Sequence, residues 1–169
     1  MINHPIEPVY NESSKILILG SFPSVKSREV GFFYGHPQNR FWRVISSLLG
    51  ENVPMTAEEK KTLLLKRKIA VWDVIASCEI EGSADSTIKR ATPNDLTVIL
   101  AAADIKAIFV NGKTAEKYYN KYILKTINRS AILLPSTSAA NASFSLEKLT
   151  REWSIIKEYI GTAQMQDGI

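Results

Sequence analysis

The sequence predicts an α/β fold, a three-layer α/β/α domain built on a central four-stranded, mostly parallel sheet. Three observations carry this expectation. Four short apolar runs, Ile16 to Leu19, Ile69 to Trp72, Ala107 to Val110 and Ala131 to Leu134, lack the alternation of half-buried strands and read as strands covered on both faces. Stretches of helical periodicity separate them, as crossover connections require. The 169 residues, 45% of them hydrophobic, can bury one substantial core, and no repeat, low-complexity tract or Pro/Gly/Ser linker divides it.

Taken in order, the N-terminal run MINHPIEPVY lacks the basic-then-apolar layout of a leader, and no run approaches the roughly 18 apolar residues that span a bilayer. A cytoplasmic protein without membrane contact is expected. After the first strand, a helix is expected from about Arg40, because Phe41, Val44, Ile45, Leu48 and Leu49 share one helical face and Gly50 can end it. Thr56 and Glu59 form a capping-box signature that opens a second helix, Ala57 to Arg67. Leu96 to Ala103 and Thr114 to Ile127 read as further helices, and Leu146, Leu149, Trp153, Ile156 and Ile160 make the apolar stripe of the last one. A single domain over residues 1–161 is expected, followed by a frayed tail, 162–169.

Cys78 is the only cysteine, so no internal disulfide can form, and the two histidines, His4 and His36, are too few for an evident Cys/His zinc site. Neither a metal nor another cofactor is expected. The net charge of +4, from 21 Lys and Arg against 17 Asp and Glu, and the pI of about 9.1 suit a polyanionic partner without demanding one.

In a parallel sheet, ligands bind at the carboxyl ends of the strands. The loops expected there are GSFPSVKS, DVIASCEIEGS, NGKTA and PSTSAANAS. In the first, Ser21, Phe22, Pro23 and Ser24 can bring backbone amides close to a ligand, although a plain strand-ending turn explains the same residues. The segment from Gly31 to Trp42 packs five aromatics against a polar cluster just before a helix. Phe33 and Tyr34 can stack on a base there, His36 and Arg40 can meet a polyanion, and Asn39 suits the N-cap. Ser136, Thr137, Ser138 and Asn141 offer hydroxyl and amide groups to phosphates, as Lys113 offers a charge; a Ser-rich helix lead-in is the plainer account. Asp73 and Asn111 end strands and can bind a ligand edge or satisfy loop amides. Cys78 reads as a small buried hydrophobe.

GSFPS after the first strand, followed by GHPQNRFW, resembles the uracil-DNA glycosylase superfamily, whose mismatch-specific branch has GINPG and HPGNRFW in these loops. The segments WDVIASCEIEGSADSTI, FVNGKTA and LPSTSAANA make the resemblance strongest to the hypoxanthine-DNA (deoxyinosine) glycosylase branch, over about Ile16 to Ile156. Two positions depart from the other branches. Phe22 stands where they carry a water-activating Asn or Asp, and Leu134 stands where the uracil-excising branch has His.

The resemblance implies a glycosylase of the same α/β/α architecture. Such an enzyme is expected to act on DNA containing deaminated bases and to hydrolyse the glycosidic bond of deoxyinosine, and with no lysine evidently placed to form a Schiff base, no strand cleavage is expected. It also implies that Asn39 is the catalytic residue. Ser21, Phe22, Pro23, Ser24, Phe33, Tyr34, Asp73 and Asn111 are expected around the base, and His36, Arg40, Lys113, Ser136, Thr137, Ser138 and Asn141 on the DNA. A monomer is expected. The competing readings are a mismatch-type uracil glycosylase, a non-catalytic nucleic-acid-binding module on the same fold, and a small-molecule nucleotide-binding protein.

Overall fold

The computed structural model describes residues 1–161; the tail expected to fray lies outside the described residues. The chain opens with a two-residue strand, Ile2–Asn3 (β1), and reaches the first expected strand at Ile16–Gly20 (β2). Val25–Val30 (α1), Phe41–Leu49 (α2) and Ala57–Lys66 (α3) lead to Ile69–Asp73 (β3). Ile75–Glu79 (β4) and Lys89–Pro93 (β5) come next, then Thr97–Ala102 (α4) and Ala107–Asn111 (β6). The described part ends with Lys113–Tyr122 (α5), Leu124–Ile127 (α6), Ile132–Leu134 (β7), Leu146–Trp153 (α7) and Lys157–Ile160 (α8).

The four expected strands form one parallel sheet in the order β3-β2-β6-β7. Successive side chains of a strand point to opposite faces, and here both faces are covered. Ile16, Ile18, Ile69, Val71, Ala107 and Phe109 pack with Phe41, Val44 and Ile45 of α2, Leu63 and Leu64 of α3, and Leu149 and Trp153 of α7. Leu17, Leu19, Ala70, Ile108 and Val110 pack on the other side with Ile99 of α4 and Ala115, Tyr118 and Tyr119 of α5. This double burial is why the strands show no alternation, and it makes the three layers. The capping box forms as expected: Thr56 Oγ1 accepts the Glu59 N–H, and Glu59 returns a carboxylate oxygen to Thr56 N–H.

The structure adds elements that the apolar pattern did not reveal. β1, β4 and β5 make a second, antiparallel sheet in the order β1-β4-β5, so the middle of the segment expected to be the loop after β3 is a strand. Lys89, Arg90, Thr92 and Pro93 are exposed on its edge, where a strand needs no apolar face and can end in proline. The expected helix from Thr114 to Ile127 is broken at Ile123, which is 3% exposed and has φ −111°, away from the helical value. A 3-10 turn at Ser154–Ile156 likewise interrupts the last helix.

The N-terminal segment is tied to the end of β3. His4 N–H bonds to Ala76 O at 2.7 Å, and Val9 makes an antiparallel bridge with Val71, covering the β3 edge of the parallel sheet. Among the described residues, no helix is long and apolar enough to cross a membrane.

Candidate active site

The strands β2, β3 and β6 end together at Gly20, Asp73 and Asn111, and a pocket of about 370 Å³ opens there, within the range of small-molecule sites. Its floor is tightly built. A Cβ on Gly20 would lie 2.4 Å from Asp73 Oδ1 and 3.1 Å from the Tyr34 hydroxyl, so only glycine leaves room for both.

Asp73 is 4% exposed, and His4 Nε2 donates to its Oδ2 at 2.7 Å. His4 Nδ1 accepts the Ile6 N–H at 3.2 Å, which puts the ring proton of a neutral imidazole on Nε2, facing the carboxylate. The ring also meets Phe22 edge-on, with centroids 5.8 Å apart. Because the N-terminal strand pairs with β4, a residue 69 positions away in sequence supports the pocket.

Tyr34 has φ 52°, a left-handed conformation uncommon outside glycine, and its ring stacks on Phe41 at 4.1 Å. Its hydroxyl is buried without a hydrogen-bond partner among the described residues. Burial pushes the phenol far above its ordinary value, the Asp73 charge adds to the shift, and the Asn111 amide opposes it. The hydroxyl therefore stays protonated.

Asn39 also lines the pocket, one residue before the α2 N-cap, which is Arg40. Its Oδ1 nevertheless serves the helix end, accepting the Phe41 N–H at 2.9 Å, and also accepts the Thr137 hydroxyl at 2.9 Å. Thr137, fully buried, pairs twice with Asn111: its N–H donates to Asn111 Oδ1 at 3.1 Å, and its hydroxyl accepts from Asn111 Nδ2 at 3.0 Å. A chain of hydrogen bonds thus joins β6, the loop after β7 and the start of α2. It fixes the Asn39 amide with the oxygen turned inward and Nδ2 left to donate.

The remaining sequence candidates divide. Ser21, Phe22, Pro23, Ser24, Phe33, His36, Ser136 and Ser138 line the pocket with those above. Phe33, expected to stack on a base, is only 2% exposed: its ring packs in the core, and Trp42 Nε1 donates to its carbonyl. Ser24 caps α1, accepting the Ser27 N–H, within the segment expected to be loop. Arg40 turns away from solvent. Its guanidinium donates to the carbonyls of Phe144, Ser138 and Asn141, holding the loop after β7 in place. Asn141 also works inside that loop, donating to Ser136 O at 3.0 Å. Lys113 is exposed at the start of α5 and is not part of the lining. Among the described residues, no three His, Cys, Asp or Glu side chains converge as a metal site would require.

Two participants escaped the sequence reading, His4 and Asp85. No periodicity links His4 to residue 73, and Asp85 lies just past the expected loop DVIASCEIEGS; its one signal was the GSADST stretch within the family-like motif. Asp85 lines the pocket mouth and accepts the Ser21 hydroxyl on both carboxylate oxygens at 3.1 Å.

A family profile described as the uracil DNA glycosylase superfamily matches residues 7–158. A Methanosarcina acetivorans protein named hypoxanthine DNA glycosylase is 36% identical over 158 residues, covering 92% of this chain and 98% of that protein. A protein of the same name from Methanosarcina barkeri is 35% identical over 149 residues, 87% of this chain and 92% of its own. The solution NMR structure of a Methanosarcina acetivorans protein, described as a candidate uracil DNA glycosylase, superposes with a TM-score of 0.80. Its sequence is 34% identical, and the match covers 95% of this chain and 99% of that one.

Proposed function

Because the chain belongs to the uracil DNA glycosylase superfamily, we propose that it is a hypoxanthine-DNA glycosylase, a cytoplasmic monomer that removes the deaminated base from deoxyinosine in DNA. The observation that carries this reading is the pocket at the ends of three parallel strands. Asp73, a carboxylate held by His4, and Asn39, an amide held by Thr137, both line it; in this reading Asp73 meets the inserted base and Asn39 the sugar.

A base within a duplex stack must first be flipped out, at a cost of a few kcal/mol that a poorly paired inosine lowers. Hypoxanthine presents O6 as an acceptor and N1–H as a donor, the reverse of adenine. With Oδ2 held by His4, Asp73 keeps Oδ1 as an acceptor for N1–H, while backbone N–H groups of Ser21 to Ser24 bind O6. Adenine would set acceptor against acceptor and donor against donor, leaving buried groups unpaired. Phe22 and the Tyr34 ring border the base.

Bond cleavage passes through an oxocarbenium-like sugar, as in glycoside hydrolysis, while charge gathers on the base and the O6 donors stabilise it. Asn39, its oxygen occupied, offers Nδ2–H to hold the attacking water in line with C1′. Among the described residues, no lysine lines the pocket, which suits direct hydrolysis without strand cleavage. His36 and the loop from Ser136 to Ser138 border the mouth and meet the DNA backbone there.

Duplexes carrying one inosine, uracil or xanthine, incubated with the protein and treated with alkali, test this reading. Strand breaks at inosine are expected, and inactivity on all three substrates refutes it. Uracil belongs in the panel because its N3–H suits the Asp73 carboxylate equally well. Binding to the inosine duplex without excision would identify a non-catalytic module.

A further inference from the structure

Hydrolysis takes a proton from the attacking water, and the groups so far assigned cannot accept it. Asn39 Oδ1 already receives two hydrogen bonds, and an amide is a feeble base. Phe22, in the first loop, presents only a ring that is 7% exposed. Among the described residues, the carboxyl groups lining the pocket are Asp73 and Asp85. Asp73 lies deep at the strand end and is committed to His4. Asp85 stands at the mouth with an edge open to solvent.

The segment that carries Asp85 is held firmly. Arg28 of α1 donates to Gly82 O at 2.7 Å, Val25 N–H donates to Ser83 Oγ at 2.9 Å, and Glu81 N–H donates to Thr87 Oγ1 at 2.9 Å. The Ser21 hydroxyl then fixes the carboxylate itself, one residue before Phe22.

We infer that Asp85 is the general base of the reaction, accepting the proton of the water that Asn39 orients. This rests on the glycosylase reading above. As the water oxygen bonds to C1′, the C1′–N9 bond breaks and its electron pair leaves with the purine. One water proton passes to Asp85. The departing base takes a proton from solvent and Asp85 returns its own, leaving free hypoxanthine and an abasic sugar. Loop atoms crowding the inner side of Asp85 raise its pKa, partly offset by the Ser21 hydroxyl, and this makes it a better proton acceptor than a fully hydrated Asp.

The test compares the wild-type protein with Asp85→Asn and Asp85→Ala in single-turnover excision, on whichever of the inosine, xanthine and uracil duplexes the wild type opens. A rate loss of about 100-fold or more is expected for both variants, with the Kd for the duplex unchanged. Sodium formate should restore part of the Asp85→Ala rate, because a small carboxylate can enter the vacated mouth. Circular dichroism melting confirms that the variants fold. The inference is overturned if Asp85→Asn keeps a rate within threefold of wild type, if the loss follows weakened DNA binding, or if formate restores nothing. A wild type inactive on every duplex refutes the glycosylase reading itself, and this inference with it.

Discussion

His4 Nε2 donates to Asp73 Oδ2 at 2.7 Å, so the first residues of the chain orient the carboxylate at the bottom of the pocket. A hydrogen bond to a buried charged group is worth about 1.5–3 kcal/mol. His4→Leu should lose stability of about that size in urea unfolding and should excise hypoxanthine more slowly, because Asp73 is no longer held facing the base. His4→Gln, whose amide can also donate to Asp73, should recover part of both. Equal behaviour of the two variants would show that the His4 ring acts through packing alone.

Asn39 supports the start of α2 and also faces the pocket, and two substitutions separate these duties. Asn39→Ala should slow single-turnover excision by orders of magnitude and lose about 1 kcal/mol through the vacated Phe41 and Thr137 donors. Asn39→Asp keeps acceptor oxygens for both and removes the Nδ2 donor. It should melt near the wild-type temperature and still be slow. A fast Asn39→Asp protein would show that the Nδ2 donor is not required for excision.

Arg40 and Lys113 should respond differently to salt. Arg40→Lys cannot satisfy three carbonyls with a planar fork, so Tm should fall as the loop after β7 loosens. Its slope of log K against log salt for DNA binding should match the wild type. Lys113→Ala should lower that slope by about one if the exposed ammonium neutralises a phosphate, with little change in Tm.

The raised pKa of Asp85 also predicts a pH dependence. Asp73 adds to the shift, the Ser21 and Thr114 hydroxyls oppose it, and Arg28, Cys78 and Tyr118 lie nearby. Excision should rise with pH through a titration above the ordinary Asp range and lose that limb in Asp85→Asn. A carboxyl whose folded pKa is raised binds its proton more tightly in the folded protein, so its effect on stability is unfavourable once pH exceeds the folded pKa. Asp85→Asn should therefore melt higher than wild type at neutral pH. The difference should shrink as pH falls through the folded value and vanish below the unfolded one.

The parallel sheet was readable from the sequence because β2, β3 and β6 are covered on both faces, and burial of that kind writes itself as unbroken apolar runs; β7, an edge strand with Leu133 exposed, is an apolar run as well. The capping box at Thr56 and the stripe from Leu146 to Ile160 were equally local signals. The antiparallel sheet was not readable: β1 has two residues and β5 is an exposed, charged edge, so neither needs an apolar pattern. Most pocket residues could be named because they follow strand ends. Their individual duties could not. Arg40 looked like a cation for DNA, but its guanidinium sits on three carbonyls about a hundred positions away, and Phe33 looked like a stacking ring, but it is packed in the core.

By itself the sequence determined the layered fold, the family resemblance and the loops that form the pocket, because burial periodicity and contiguous motifs are local properties of the chain. Only the tertiary structure decided that His4 holds Asp73, that Thr137 and Phe41 occupy the Asn39 oxygen, and that Asp85 stands beside Ser21. These are hydrogen bonds made largely across chain folds, and a directional contact between distant residues leaves no periodic trace in either partner's sequence.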